Sequence, residues 1–205
     1  MKKVGIMGGT FNPIHYGHLF LAENAMEQNN LDEILFMPSK KPPHKNSQDL
    51  VSDEYRIDMV RLAIQDNPHF TLSTMEFERE GYTYTADTLT ILTNAHPDTD
   101  YYFMIGADSL FMMEDWKTPQ IIFNLSTILV AGRDHMQGNQ LDRQIKHLEK
   151  TYGARIIPFD MPAIEISSAE IRKRIADKKT IRYYVTKEVM EYVADHRLYE
   201  TLPKE

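Results

Sequence analysis

His15 and His18 stand three residues apart, at the end of the run Gly8-Gly9-Thr10-Phe11-Asn12-Pro13-Ile14-His15-Tyr16-Gly17-His18. Two glycines closing the apolar stretch Val4 to Met7 let a ligand come close to the backbone. If the chain turns helical at His15, the two imidazoles point the same way. The helix start adds N–H groups and a partial positive charge. Two imidazoles and those donors make a compact cradle for a polyphosphate. The run is neither a G-x-x-x-x-G-K-[ST] loop nor a G-x-G-x-x-G fingerprint. Bland readings compete with the chemical one. A glycine pair is a common tight turn, a histidine near a helix start can be a cap, and H-x-x-H without a third ligand nearby is a weak metal site. No metal site is assigned.

Other residue types stand out singly. Ser168 and Arg172 lie four apart on one face of an expected helix that Ser168 caps, while Lys173 and Arg174 read as solvated. Lys40, Lys41, His44 and Lys45 surround Pro42-Pro43 in a basic loop, which taken alone is a solvated charge run. Arg133 closes an apolar run. Trp116, the sole tryptophan, sits in a polar stretch; its flat face suits stacking, and core packing suits it as well. Thr85 and Ala86 open a helix whose N–H groups suit a carboxylate. Asp108, in IGADSL, either accepts hydrogen bonds from a ligand or caps the short helix that follows.

These residues need a frame. Apolar runs at 2–8, 32–39, 70–74, 100–107, 126–133 and 154–159 read as strands, and helical stretches alternate with them at 19–28, 53–66, 86–95, 118–126 and 139–151. Thr85 or Thr83 is expected to cap the third of these helices and Ser52 the second. After 159 the pattern changes to two helices, capped by Ser168 and Thr186, with no further strand. Continuous apolar strands alternating with helices imply a parallel sheet covered on both faces. The expectation is one α/β domain over 1–205, Rossmann-like, with a helical C-terminal cap over about 161–205. Ligands in such folds sit beyond the carboxyl ends of the strands, so the polar turns should share one rim.

Composition limits the function. With 42% hydrophobic and 26% charged residues the chain reads as a soluble globule, and no run approaches a membrane span or a signal peptide. Zero cysteines remove disulfides, thiol nucleophiles and thiolate metal sites, in keeping with a cytoplasmic protein. A net charge of −7 argues against a nucleic-acid partner. It also means that phosphate anions must be drawn by local cations and helix starts rather than by the overall field.

The whole run GGTFNPIHYGH resembles the signature of the nucleotidylyltransferase superfamily, G-G-[ST]-F-D-P-x-H-x-G-H, with Asn12 where Asp is usual. Ile166-Ser167-Ser168-Ala169-Glu170-Ile171-Arg172 resembles its second signature, I-S-[ST]-x-x-I-R. Within that superfamily PSKKPPHK, GYTYTADTL, IGADSL, Trp116 and LVAGR are similar, in order and spacing, to the bacterial nicotinate-nucleotide adenylyltransferases. The resemblance implies adenylyl transfer from ATP to nicotinate mononucleotide, with magnesium carried on ATP and small molecules as the only partners beyond a homo-oligomer, which is left open. It implies that His15, His18 and Arg172 act on the triphosphate. Gly8, Gly9, Thr10, Phe11, Gly106, Asp108, Ile166, Ser167 and Ser168 complete the ATP site. Lys40, His44, Lys45, Thr85, Ala86, Trp116 and Arg133 would hold the mononucleotide. Nicotinamide mononucleotide or phosphopantetheine as acceptor, or a nucleotide-binding regulator without turnover, are the alternatives.

Overall fold

A computed structural model of the chain describes residues 1–40, 50–132, 138–161 and 164–200. The described residues form strands β1 (Lys2–Gly9), β2 (Glu33–Pro38), β3 (Phe70–Leu72), β4 (Thr99–Gly106), β5 (Thr127–Gly132) and β6 (Arg155–Asp160). Their helices are α1 (Tyr16–Asn29), α2 (Asp53–Ile64), α3 (Thr85–Ala95), α4 (Ala107–Phe111), α5 (Pro119–Leu125), α6 (Gly138–Tyr152), α7 (Ser168–Ala176) and α8 (Lys187–Asp195). A 3-10 turn, Met113–Asp115, follows α4. Among the described residues no helix is long and apolar enough to cross a membrane.

All strand pairs are parallel, in the order β3-β2-β1-β4-β5-β6. The chain moves outward from β1 to β3, returns to the other side of β1, and moves outward again to β6. Crossovers of one hand then place helices on opposite faces in the two halves. Period-two strands feed both layers. Met7, Phe36, Met104 and Leu129 pack with α1, α2, α7 and α8. Val4, Ile6, Phe103, Ile105, Ile128 and Val130 pack with α3, α4, α5 and α6. The expected Rossmann-like sheet covered on both faces is therefore what the chain builds. The reversal of direction falls between β1 and β4, and a crevice opens there at their carboxyl ends.

Several expected caps move. Ser167, not Ser168, caps α7, accepting from the Glu170 N–H at 3.1 Å, because the Ser168 hydroxyl is drawn to another partner described below. Helix α3 starts at Thr85 itself, with Tyr84 as an N-cap that offers no side-chain bond. Ser52 stands at the start of α2 without a side-chain cap bond, whereas Thr186 caps α8 through the Val189 N–H at 3.3 Å.

Candidate active site

The glycine-histidine run occupies the crevice. Strand β1 ends at Gly9, and residues 10–15 turn the chain into α1. Phe11 adopts a left-handed φ of 48° and is 1% exposed, so its ring is part of the floor, 5.0 Å from His18 and edge-on to it. Its side chain lines neither of the cavities described below, which leaves only its backbone for a ligand.

His15 is the extended N-cap of α1 and His18 its third residue, so the two are not side by side on a helical turn. Their rings stack instead, centroids 3.7 Å apart at 28°. The His15 N–H donates to His18 Nδ1 at 3.2 Å, which puts the proton of a neutral His18 on Nε2. A Cβ at position 17 would stand 3.0 Å from His15 Nδ1, so a side chain there would crowd the ring that lies over the helix start. His15 is 7% exposed, and burial pulls its pKa from 6.5 down to about 4. It is neutral at pH 7.

Cap residues hold the same turn by its carbonyls. Ser168 Oγ donates to the Pro13 carbonyl at 2.9 Å, and Arg172 Nη1 donates to the Asn12 carbonyl at 2.9 Å. The Tyr16 N–H donates to Tyr184 O at 2.9 Å. Arg56, fully buried on α2, donates from Nη1 to Thr10 O at 2.8 Å and to Ser39 O at 2.7 Å, tying together the ends of β1 and β2. Its Nη2 meets Asp53 Oδ1 at 2.5 Å.

A cavity of about 730 Å³ lies between turn, sheet and cap. Gly8, Thr10, His15, His18, Gly106, Ile166, Ser167, Ser168 and Arg172 all line it, so the structure brings most of the expected ATP residues together. Asp108 is exposed in α4 and lines neither cavity; Ser109 takes that place on the wall.

A second cavity of about 900 Å³ opens on the other side of the β1 end. Gly8, Gly9, Thr10, Thr85 and Trp116 line it, with Tyr84, Thr88, Glu76 and Lys117. Gly8, Thr10 and Trp116 face both cavities, so the two are halves of one cleft. Ala86 is buried and contributes no side chain to either wall. Lys117 Nζ sits 4.2 Å from the Tyr84 ring centroid and 3.1 Å from Asp87 Oδ2, which Arg79 also pairs at 3.3 Å. Burial pushes the Glu76 carboxyl up, although Thr88 Oγ1 donates to it at 2.9 Å.

Lys40 departs from its expected role. Its amine donates to Phe77 O at 3.2 Å and Arg79 O at 2.7 Å, strapping the segment before α3, and it lines neither cavity. His44, Lys45 and Arg133 lie outside the described residues. Sequence reasoning passed over Arg56, Glu76 and Lys117. An arginine set among the apolar positions of α2 was the one available signal for Arg56; the other two carried none.

The profile of the cytidylyltransferase-like family matches residues 6–174. A probable nicotinate-nucleotide adenylyltransferase of Lachnoclostridium phytofermentans is 49% identical over 199 residues, 97% of this chain and 100% of that one. The nicotinate-nucleotide adenylyltransferase of Bacillus subtilis is 39% identical over 201 residues, 98% and 100% of the two chains. Among solved structures, a Plasmodium falciparum nicotinic acid mononucleotide adenylyltransferase complexed with NaAD superposes with a TM-score of 0.80 over 98% of each chain, at 21% identity. That last likeness concerns the fold.

Proposed function

The chain belongs to the cytidylyltransferase-like family and, within it, to the nicotinate-nucleotide adenylyltransferases, and from that membership we propose how its cleft makes a dinucleotide. It is a nucleotidyltransferase that joins the AMP of ATP to nicotinate mononucleotide, releasing pyrophosphate, in NAD biosynthesis. We read the whole of 1–205 as one catalytic domain working in the cytoplasm. One observation carries the reading: two cavities that share Gly8, Thr10 and Trp116 as a common wall. Two ligands held there meet end to end over the β1 turn.

ATP takes the cavity of the histidines, and the mononucleotide the cavity of Thr85 and Trp116. The acceptor phosphate is already ionised at neutral pH, so an oxygen attacks the α-phosphorus directly and no base is needed. One P–O bond forms as the bond to pyrophosphate breaks. Catalysis is then positioning and stabilisation of charge on the departing group. His18, with its proton on Nε2, and Arg172, with one guanidinium nitrogen anchored on Asn12 and the rest of its fork available to phosphate, serve that charge. Magnesium enters as part of MgATP.

In the acceptor cavity, the start of α3 offers N–H groups to the nicotinate carboxylate, and Trp116 gives its ring a flat surface. The test is a product assay. Purified protein with MgATP should convert nicotinate mononucleotide to a species heavier by one AMP, with one pyrophosphate per turnover. Failure to form that product with this acceptor, while another acceptor is adenylylated, would overturn the assignment.

A further inference from the structure

The turn between β1 and α1 is held from behind by the end of the chain. Tyr199 lies beyond α8 at 8% exposure, and its hydroxyl donates to the Asn12 carboxamide oxygen at 2.8 Å. The Val51 N–H reaches the same oxygen at 3.4 Å. Asn12 is also the residue whose backbone carbonyl receives Arg172 Nη1, at 2.9 Å. One residue of the turn therefore joins the last segment of the chain to the α7 arginine. Burial holds the Tyr199 phenol above its usual range, with the Arg172 and Arg56 cations working the other way, so its hydroxyl remains a donor at any working pH.

We propose that Tyr199 is a positioning residue for the triphosphate site, acting through Asn12 on the turn and on Arg172. The inference rests on the adenylyl-transfer reading above. Asn12 and Arg172 line the ATP cavity, whereas Tyr199 lines neither cavity and touches no substrate. Its effect must be transmitted. Without the hydroxyl, a buried carboxamide oxygen loses the donor that stands 2.8 Å from it. The side chain then turns or the loop relaxes, and the Asn12 carbonyl that anchors Arg172 moves with it. ATP affinity and turnover should suffer, while the mononucleotide, bound on the far side of the β1 end, should not notice.

Four full-length proteins decide this: the wild type, Tyr199→Phe, Asn12→Asp and the double variant. ATP dissociation constants are read by calorimetry, kcat and both KM values by pyrophosphate release, and Tm by scanning calorimetry. Phenylalanine keeps the ring packing, so Tm should fall by only about 2–4 °C, the scale of one hydrogen bond in a chain of this size. ATP binding should weaken about three- to tenfold and kcat fall by a similar factor, with KM for the mononucleotide within about twofold. In the Asn12→Asp background the tyrosine bond becomes charge-assisted, so removing the hydroxyl should cost at least about threefold more than it does against asparagine. A residue that merely fills space would cost the same in both backgrounds, and that result overturns the proposal. Unchanged ATP affinity and kcat in Tyr199→Phe overturns it too. If Asn12→Asp does not fold, pairing Tyr199→Phe with Arg172→Lys replaces it: two changes to one turn should fall short of additive, and additive losses count against the proposal. Should the wild type make no dinucleotide, the functional reading fails, and the ATP titrations still judge Tyr199.

Discussion

A buried histidine at the proposed triphosphate site has a cost that pH exposes. His15 carries a pKa of about 4 in the folded chain against an ordinary 6.5, and the cause is burial. Between those values the unfolded chain binds a proton that the folded chain refuses, so stability rises with pH across this window and is lost as pH falls from about 6.5 toward 4. The displacement corresponds to about 3 kcal/mol at most. Urea unfolding at pH 7 and pH 4.5 should show a larger acid loss in the wild type than in His15→Asn, and equal losses would mean the imidazole is not buried as described. A second residue-scale contrast concerns the cap. Arg172→Lys keeps the charge but not the fork proposed to span Asn12 and phosphate, so it should weaken ATP use about tenfold or more, whereas Lys173→Ala, at an exposed position, should change little. Titrating ATP against both variants tests the ranking, which fails if Lys173→Ala is the more damaging. The motif residues were legible because their types and spacing are local. Their arrangement was not. Stacked rings, and the exchange of capping duty from Ser168 to Ser167, depend on contacts between α7 and a turn at the other end of the sequence. Arg56 and Tyr199 went unseen for the same reason: nothing near them in the chain shows what they hold.

At the scale of elements, alternating apolar strands and helices foretold the sheet to within a residue or two at most ends, because burial on both faces writes a continuous apolar run into each strand. The helix caps were read less well than the helices, since a cap is decided by where one side chain turns. Helix α3 is the consequential case. Its N-cap, Tyr84, makes no side-chain bond to the first turn, and Thr85 is its first residue and lines the second cavity, the proposed acceptor site. Thr85→Pro is therefore an informative change. Proline is tolerated at the first helical position, and Tyr84, at φ −111° and ψ 136°, already has the backbone that precedes a proline. The substitution keeps the helix and deletes one N–H. If that group receives the nicotinate carboxylate, kcat/KM for the acid mononucleotide should fall about tenfold or more at fixed ATP, and the amide should lose less, so the preference narrows. Trp116→Ala should weaken both acceptors alike, because stacking does not distinguish acid from amide. A Thr85→Pro enzyme that keeps its full preference would remove the helix start from the specificity argument. Lys40 shows the limit of composition at this scale. A basic loop residue looked like a phosphate ligand, and its amine is instead shared between two backbone carbonyls of the segment leading into α3.

Across the whole molecule, the site is a joint between two bodies of structure that the sequence keeps far apart. The sheet supplies Gly8, Gly9 and Gly106 at its rim, and the cap supplies Ser168, Arg172, Tyr184 and Tyr199, each bonded to the turn between β1 and α1 or to the first residue of α1. With a net charge of −7 the chain offers no general attraction to ATP, so on the proposed reading binding must rest on this joint. A ligand that bridges a joint stabilises both sides of it. At about one hundred times its dissociation constant, ATP should add about 2.7 kcal/mol, which for a chain of this length is about 5–10 °C in Tm. The location of that gain is the sharper test. Hydrogen exchange with and without MgATP should slow in residues 10–18, as any ligand at the rim would cause. It should slow as well in α7, whose Ser168 and Arg172 line the ATP cavity, and around Tyr199, which lines neither cavity and is reached only through the turn. Helix α6, packed on the opposite face through Leu141, Ile145 and Leu148, should stay unchanged. Protection confined to the β1 and β4 ends would mean that the cap only covers the cleft. Protection spreading into α7 and the last turn of the chain would mean that sheet and cap bind the triphosphate as one unit.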